Sequence, residues 1–132
     1  MTEDLKDQLL SAIERHPFIR LCIVFGSTAS GRAGAQSDLD VAVAAEAPLS
    51  PEARLALLES FIEVTGREVD LVDLTTENGP ILKQALSRGV IVRNADRSMY
   101  ARLISRMLFA EADMMPYYQR ILRDRRERFI HG

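Results

Sequence analysis

This chain of 132 residues has little of the residue types that carry several common chemistries. It contains no tryptophan, one cysteine and two histidines. Cys22 has no partner for an internal disulfide and no histidine near it in the sequence, so we interpret it as a small buried apolar residue and not as a nucleophile. Neither His16 nor His131 has metal-ligand spacing to another ligand, which argues against a histidine-based metal centre.

Long apolar runs and an excess of positive charge are also missing. No apolar run approaches the ~20 residues of a membrane span, and the acidic N-terminus does not resemble a signal peptide. Together with the single cysteine, these features predict a cytoplasmic protein. The net charge of −2 argues against general nucleic-acid binding, which usually shows as a basic face. The length is that of one domain with its own core.

A glycine–serine pair follows the first strongly β-prone segment. Residues 18–25 are apolar and predict a strand, and Gly26-Ser27 stands where that strand ends. Glycine permits a tight turn and a close approach of the backbone to a ligand. A serine hydroxyl beside backbone N–H groups is typical of a cradle for phosphate oxygens. We therefore predict that Gly26 and Ser27 bind the terminal phosphates of a nucleotide.

Two aspartates begin a second predicted strand, residues 38–44. Because side chains alternate along a strand, Asp38 and Asp40 point to the same face. Adjacent carboxylates repel each other, so a fold keeps them together only when something cationic lies between them. A hard divalent cation with oxygen ligands and substrate phosphates meets that need. The pattern predicts a Mg²⁺ site next to the phosphate cradle.

A third carboxylate is expected because two-metal sites usually need one. Asp70 lies in the middle of the predicted strand Arg67–Leu74, among apolar residues. A carboxylate is costly to bury there unless it is paired or metal-bound, so Asp70 is the predicted third ligand. Asp73 has a simpler interpretation, as the polar end of the strand before the Thr75-Thr76 turn.

These segments together resemble the minimal nucleotidyltransferases, which are short members of the DNA-polymerase-β-like superfamily. The resemblance rests on Gly26-Ser27-x-Ala29-x-Gly31, Ser37-Asp38-x-Asp40 and Val69-Asp70-Leu71-Val72, and it extends over nearly the whole chain. Many of these proteins are the antitoxin half of HEPN/MNT toxin–antitoxin pairs.

The resemblance also assigns roles to residues. It implies that Asp38, Asp40 and Asp70 are catalytic and hold two Mg²⁺ ions, and that Gly26, Ser27 and Ser37 bind the nucleotide. Many relatives carry arginine directly before the glycine matched to Gly31, whereas this chain has Ser30 there and Arg32 just after it. Arg32 is therefore the candidate for a contact with the triphosphate.

The activity that the resemblance implies is transfer of AMP from ATP to a hydroxyl of the cognate HEPN toxin, a tyrosine in particular. Such AMPylation would silence the RNase activity of the toxin. Two alternatives stay open: a non-catalytic antitoxin that acts by binding and occlusion, and a nucleotidyltransferase for a small molecule such as an antibiotic. The complete set of aspartates weakens the first, and the lack of room for a substrate domain weakens the second. A nucleic-acid polymerase is a weaker alternative still, because such an enzyme needs a basic groove that this composition does not suggest.

Helices and strands alternate along the first 96 residues. The patterns predict a helix at 3–15, a helix from Pro51 to Gly66 with Leu55, Leu58 and Ile62 along one face, a short helix at Pro80–Ser87 and a last strand at Val90–Arg93. This order predicts an α/β (α+β) nucleotidyltransferase fold with a small mixed sheet packed with helices.

Residues 97–132 are predicted to form a long C-terminal helical extension beyond the core of residues 1–96. One apolar stripe is Met99, Leu103, Met107 and Leu108, and a second is Tyr118, Ile121, Leu122 and Phe129. Pro116 is expected to kink or divide the helix at Met115. We expect the first half to cover the sheet. The second half combines Met, Tyr and Arg, which are enriched in interfaces, and is a candidate docking surface for a partner protein.

Overall fold

A computed structural model of the chain describes residues 1–29, 38–77 and 79–131, with side chains in the last helix described up to residue 112 and at 120 and 123. The elements in chain order are α1 (Glu3–Glu14), β1 (Leu21–Phe25), α2 (Gly26–Ala29), β2 (Leu39–Ala44), α3 (Pro51–Thr65), β3 (Val69–Asp73), α4 (Pro80–Arg88), β4 (Val90–Asn94) and α5 (Arg97–His131).

The four strands form one mixed sheet in the order β3-β2-β1-β4. Strand β1 is antiparallel to both β2 and β4, whereas β2 and β3 are parallel. As a result, the C-terminal end of β1 and the N-terminal ends of β2 and β3 lie side by side. We call this row of strand ends the edge of the sheet. The predicted mixed sheet packed with helices is confirmed.

Helices cover the sheet on both faces. On one face α1 and α3 pack against residues that include Val24, Val41 and Leu71. On the other face α4 and the start of α5 pack against residues that include Ile23, Ala42 and Val72. Strands buried on both faces are apolar at almost every position instead of alternating, which explains the continuous apolar run of β1.

The ends of α3 follow from local sequence. The Ser50 side chain accepts a hydrogen bond from the backbone N–H of Ala53 at 3.1 Å, and Pro51 occupies the first turn. Gly66 ends the helix in the left-handed conformation, with φ of +64°. Both ends were predicted.

Two predictions about the packed elements are wrong in part. Strand β1 begins at Leu21, not at residue 18, because a turn closed by the Ile19 N–H on the His16 carbonyl precedes it. The apolar face predicted for α3 is only partly its core face: Leu58 packs against the core, but Leu55 is 56% and Ile62 43% exposed. Leu57 and Phe61 are buried instead, since apolar residues on several sides of a helix leave its orientation undetermined by periodicity.

Helix α5 is continuous from Arg97 to His131, so Pro116 does not divide it, and the alternative of a kink at Met115 stays a prediction. A proline removes one backbone hydrogen bond and bends a helix, but turns on both sides can hold the helix together. Met99, Leu103 and Met107 are buried as predicted, whereas Leu108 is exposed because it lies about 100° around the helix from Met107. The second predicted stripe lies outside the described side chains. Within the described residues, no helix is both long and apolar enough for a membrane span.

Candidate active site

The site is at the sheet edge where β1 ends and β2 and β3 begin. Register pairs place Asp40 opposite Phe25, the last residue of β1, and beside Asp70 on the parallel strand β3. Paired residues of neighbouring strands project to the same face, so the carboxylates of Asp40 and Asp70 share a face. This face is the one that carries α4 and α5.

Gly26 makes the closest backbone approach in the site. Its φ is +73°, a conformation that side chains rarely adopt. A Cβ added there would stand 2.3 Å from Oδ2 of Asp40, so the carboxylate occupies the space that a side chain would fill. The sequence predicted that a ligand would approach this glycine. In the structure the Asp40 carboxylate lies against Gly26 at the start of α2, and the predicted approach of a ligand stays a prediction.

The surroundings of Asp40 raise its proton affinity. The pKa of Asp40 is raised above its ordinary value, first by partial burial and then by the negative charges of Asp70 and Asp38. Asp38 and Asp70 are themselves exposed. Asp40 therefore interacts electrostatically with each of the other two carboxylates, and the grouping of all three into one site stays a prediction.

The donor chemistry fits a hard cation. Oxygen ligands such as carboxylates are the ones that Mg²⁺ prefers, and a cation beside Asp40 would relieve the repulsion that adds to the effect of burial on its pKa. In the described ranges, which omit residues 30–37, no three acidic, histidine or cysteine side chains converge into a metal-binding group. Asp40 and Asp70 are the two carboxylates that the register places side by side, so they are the candidate donors at this edge.

The reason given for choosing Asp70 is wrong, although its position is suitable. Asp70 is exposed at the edge of the sheet, whereas Asp73 is only 4% exposed. Asp73 is paired as expected for the end of a strand: its Oδ1 accepts from the backbone N–H and the hydroxyl of Thr75 at 3.0 and 2.6 Å. Its Oδ2 accepts from the backbone N–H of Leu49 at 2.8 Å, so Asp73 stabilises two loops.

The family now follows from comparison with known proteins. The sequence profile described as Polymerase beta, Nucleotidyltransferase matches residues 7–98, which include every described aspartate of the site. The chain belongs to this family. A solved structure described as a minimal nucleotidyltransferase is 32% identical, covers 64% of this chain and 86% of its own, and superposes with a TM-score of 0.52. The resemblance to the minimal nucleotidyltransferases is confirmed.

Other proteins that resemble this nucleotidyltransferase have more specific names. "Protein adenylyltransferase MntA" of Shewanella oneidensis is 33% identical over 55% of this chain and 52% of its own length, so the chain spans about half of that curated relative. A toxin–antitoxin structure with AMP-PNP matches at 22% identity, a TM-score of 0.71 and coverage of 89% and 98% of the two chains. A structure of the tri-AMPylated Shewanella oneidensis HEPN toxin in complex with MNT antitoxin matches at 21% identity with a TM-score of 0.68. The match covers 92% of this chain and 99% of the other. These two structures show the likeness of fold.

Two predicted nucleotide-binding residues of the nucleotidyltransferase, Arg32 and Ser37, lie outside the described residues. Ser27 is described and is exposed on α2. Sequence reasoning did not anticipate that Thr28 and Arg67 meet at this edge, with 3.5 Å between Arg67 Nη2 and Thr28 Oγ1. The sequence did contain one signal: Arg67 is a basic residue three positions before Asp70. The strand order places this residue at the same edge of the sheet as Gly26.

The residues set aside by sequence analysis have structural roles where they are described. Nε2 of His16 lies 2.8 Å from the hydroxyl of Ser60, which joins the turn after α1 to α3. Cys22 is fully buried, and burial raises the pKa of its thiol far above the usual range. A neutral buried thiol is not a nucleophile.

Proposed function

We propose that this nucleotidyltransferase is an antitoxin that transfers AMP from ATP to a tyrosine hydroxyl of a cognate HEPN toxin and thereby silences its RNase activity. The observation that carries the proposal is the position of Asp40, held between Gly26 and Asp70 at one edge of the sheet. The names of the relatives, a protein adenylyltransferase and an antitoxin bound to an AMPylated toxin, support the choice of donor and acceptor.

Asp38, Asp40 and Asp70 are the residues that would hold two Mg²⁺ ions. Bound Mg²⁺ supplies positive charge at phosphate oxygens and at the attacking and leaving oxygens of the transfer. The absence of a side chain at Gly26 lets the Asp40 carboxylate stand directly against α2, where the exposed hydroxyl of Ser27 can donate to the terminal phosphates. Ser37 and Arg32 belong to the same proposal as further nucleotide-binding residues.

The transfer forms a bond between the acceptor oxygen and the α-phosphorus and breaks the bond from that phosphorus to the oxygen bridging to the β-phosphate. Pyrophosphate leaves, and the phenolic proton passes through a carboxylate to solvent. A tyrosine hydroxyl has a pKa near 10 and is neutral at physiological pH, so a group that accepts or orients its proton assists the reaction. Asp70 suits this role because it is exposed at the edge of the site.

The toxin also needs a surface to bind. We assign this role to the extension 97–132, whose first turns pack on the core through Met99, Leu103 and Met107. Leu108 and Phe109, which directly follow Met107, are exposed, and the remaining helix would reach about 36 Å further at 1.5 Å per residue. A cytoplasmic site of action belongs to the same proposal, since ATP and an intracellular RNase are both found there.

The distinguishing experiment asks whether neutralisation survives separation of the two proteins. The toxin is co-expressed with the wild-type chain or with Asp38→Asn/Asp40→Asn, stripped of the chain and assayed for RNase activity. Covalent AMPylation predicts an inactive toxin after wild-type co-expression and at least tenfold more activity after co-expression with the variant.

The matched control is Glu52→Gln/Glu59→Gln, which removes two negative charges from exposed positions of α3 and is expected to behave as wild type. Full recovery of RNase activity after separation from the wild-type chain would show that the antitoxin acts by occlusion. Antibiotic resistance conferred by the chain without a partner would instead support the small-molecule alternative.

A further inference from the structure

Arg67 lies in a short connection at the edge of the sheet that carries the site. Gly66 ends α3 with φ of +64°, and β3 starts at Val69, so Arg67 is held within three residues of both elements. The N–H of Leu39 donates to the carbonyl of Glu68 at 2.9 Å, which places this connection beside the first residue of β2. Asp38 immediately precedes that residue.

The connection is anchored on the α3 side. The backbone N–H of Arg67 donates to the hydroxyl of Thr65 at 3.3 Å, and that hydroxyl donates to the carbonyl of Phe61 at 2.7 Å. The guanidinium extends in the other direction, to Thr28 on α2, where Nη2 stands 3.5 Å from Oγ1. Thr28 is only 7% exposed, so it provides a fixed contact for the guanidinium.

Two side chains of opposite charge therefore contact helix α2, at positions of the helix that are two residues apart. Asp40 contacts it at Gly26, Arg67 contacts it at Thr28, and Ser27 between them is exposed. A polyphosphate bound at Ser27 would have the carboxylates and their cations on one side and a guanidinium on the other. Such an arrangement balances charge along a triphosphate, whose charge is greatest at the β,γ end.

We infer that Arg67 is a phosphate-binding residue of the nucleotide site and holds the β,γ end of the donor nucleotide. A guanidinium carries five N–H donors in a planar fork, so one arginine can hydrogen-bond several partners, phosphate oxygens among them. Hydrogen bonds between charged partners are the strong ones, and arginine matches the geometry of phosphate. The inference rests on the proposed function, because it takes a nucleoside triphosphate as the ligand of this site.

The test compares ligands that differ in the β,γ phosphates. Binding of MgAMP-PNP and of AMP to the isolated full chain is measured by titration calorimetry for wild type, Arg67→Gln and Arg67→Lys. We expect Arg67→Gln to weaken AMP-PNP binding about tenfold or more, and AMP binding by less than twofold. Arg67→Lys keeps the charge without the fork and is expected to lose about threefold for AMP-PNP.

Arg54→Gln is the matched control. The Arg54 guanidinium donates to the backbone of β3, at the Leu71 carbonyl, and the substitution removes the same charge. It should leave the ratio of AMP-PNP to AMP affinity unchanged, even if the melting temperature falls. A purely structural role for Arg67 predicts equal losses for both ligands in Arg67→Gln, and that result would overturn the inference.

The two proposals fail in different ways. If the wild-type chain binds AMP-PNP and modifies the toxin while Arg67→Gln binds AMP-PNP normally, the inference about Arg67 is wrong and the proposed function stands. If the wild-type chain does not bind AMP-PNP at all, the proposed function is wrong and the inference falls with it.

Discussion

At the scale of single residues, burial separates two aspartates that look alike in the sequence. Asp70 and Asp73 occupy the same strand among the same kinds of neighbours, yet Asp73 is buried with three hydrogen bonds and Asp70 is exposed beside Asp40. The buried carboxylate stabilises the fold because its lone pairs are satisfied. The exposed one is available to a cation or substrate, so the residue suited to chemistry is the one that the fold leaves unburied.

Gly26 gives the sharpest prediction at this scale. In Gly26→Ala the new Cβ would fall 2.3 Å from Asp40 Oδ2, so the carboxylate must rotate away from the site. Both Gly26→Ala and the control Gly66→Ala place a side chain at positive φ, which costs about 1 kcal/mol of folding stability. We expect at least a tenfold loss of AMP transfer for Gly26→Ala alone.

Gly66 is a suitable control because nothing lies within 4 Å of a Cβ added there. Stability would be measured by urea denaturation followed by circular dichroism, since the chain has no tryptophan. AMP transfer would be followed as pyrophosphate release in the presence of the toxin. Equal losses of activity in the two variants would mean that the contact between Gly26 and Asp40 has no catalytic importance.

At the scale of elements, one arginine joins the long helix to the sheet. Arg106 on α5 donates to three carbonyls of the turn after β3, with Nη1 on Thr75 at 3.2 Å and Nη2 on Glu77 at 2.8 Å as well as on Leu74. A guanidinium can satisfy several carbonyls that have no partner in a strand or helix. The contact fixes the start of α5 before the helix continues away from the core.

Arg106→Met should therefore destabilise the fold by about 2 kcal/mol, because hydrogen bonds from a charged donor are lost while the apolar stem is kept. The control is Arg102→Met on the exposed side of α5, where the side chain reaches only Ser98 at 3.2 Å among the described contacts. We expect a change within about 0.5 kcal/mol there. Urea denaturation of both variants checks the prediction, and similar free energies of unfolding would contradict it.

At the scale of the whole molecule, most of the fold could be predicted and the packing directions could not. Strand and helix order, the caps at Ser50 and Gly66 and the positions of Gly26 and Asp40 follow from local rules. Which face of α3 is buried depends on the sheet and α1, and the short helix α2 is too brief for a periodic signal. The meeting of Arg67 with Thr28 depends on strand order, which no local pattern specifies.

The same scale gives the account its central claim, that the aspartates at this edge of the sheet make the chain an enzyme and not only a binding protein. The most direct measurement is the intact mass of the HEPN toxin after co-expression with the wild-type chain and, separately, with Asp38→Asn/Asp40→Asn. The account predicts that the toxin gains whole AMP units with the wild type and none with the variant. An unchanged mass for a toxin that still co-purifies with the wild-type chain and is silenced by it would contradict the account.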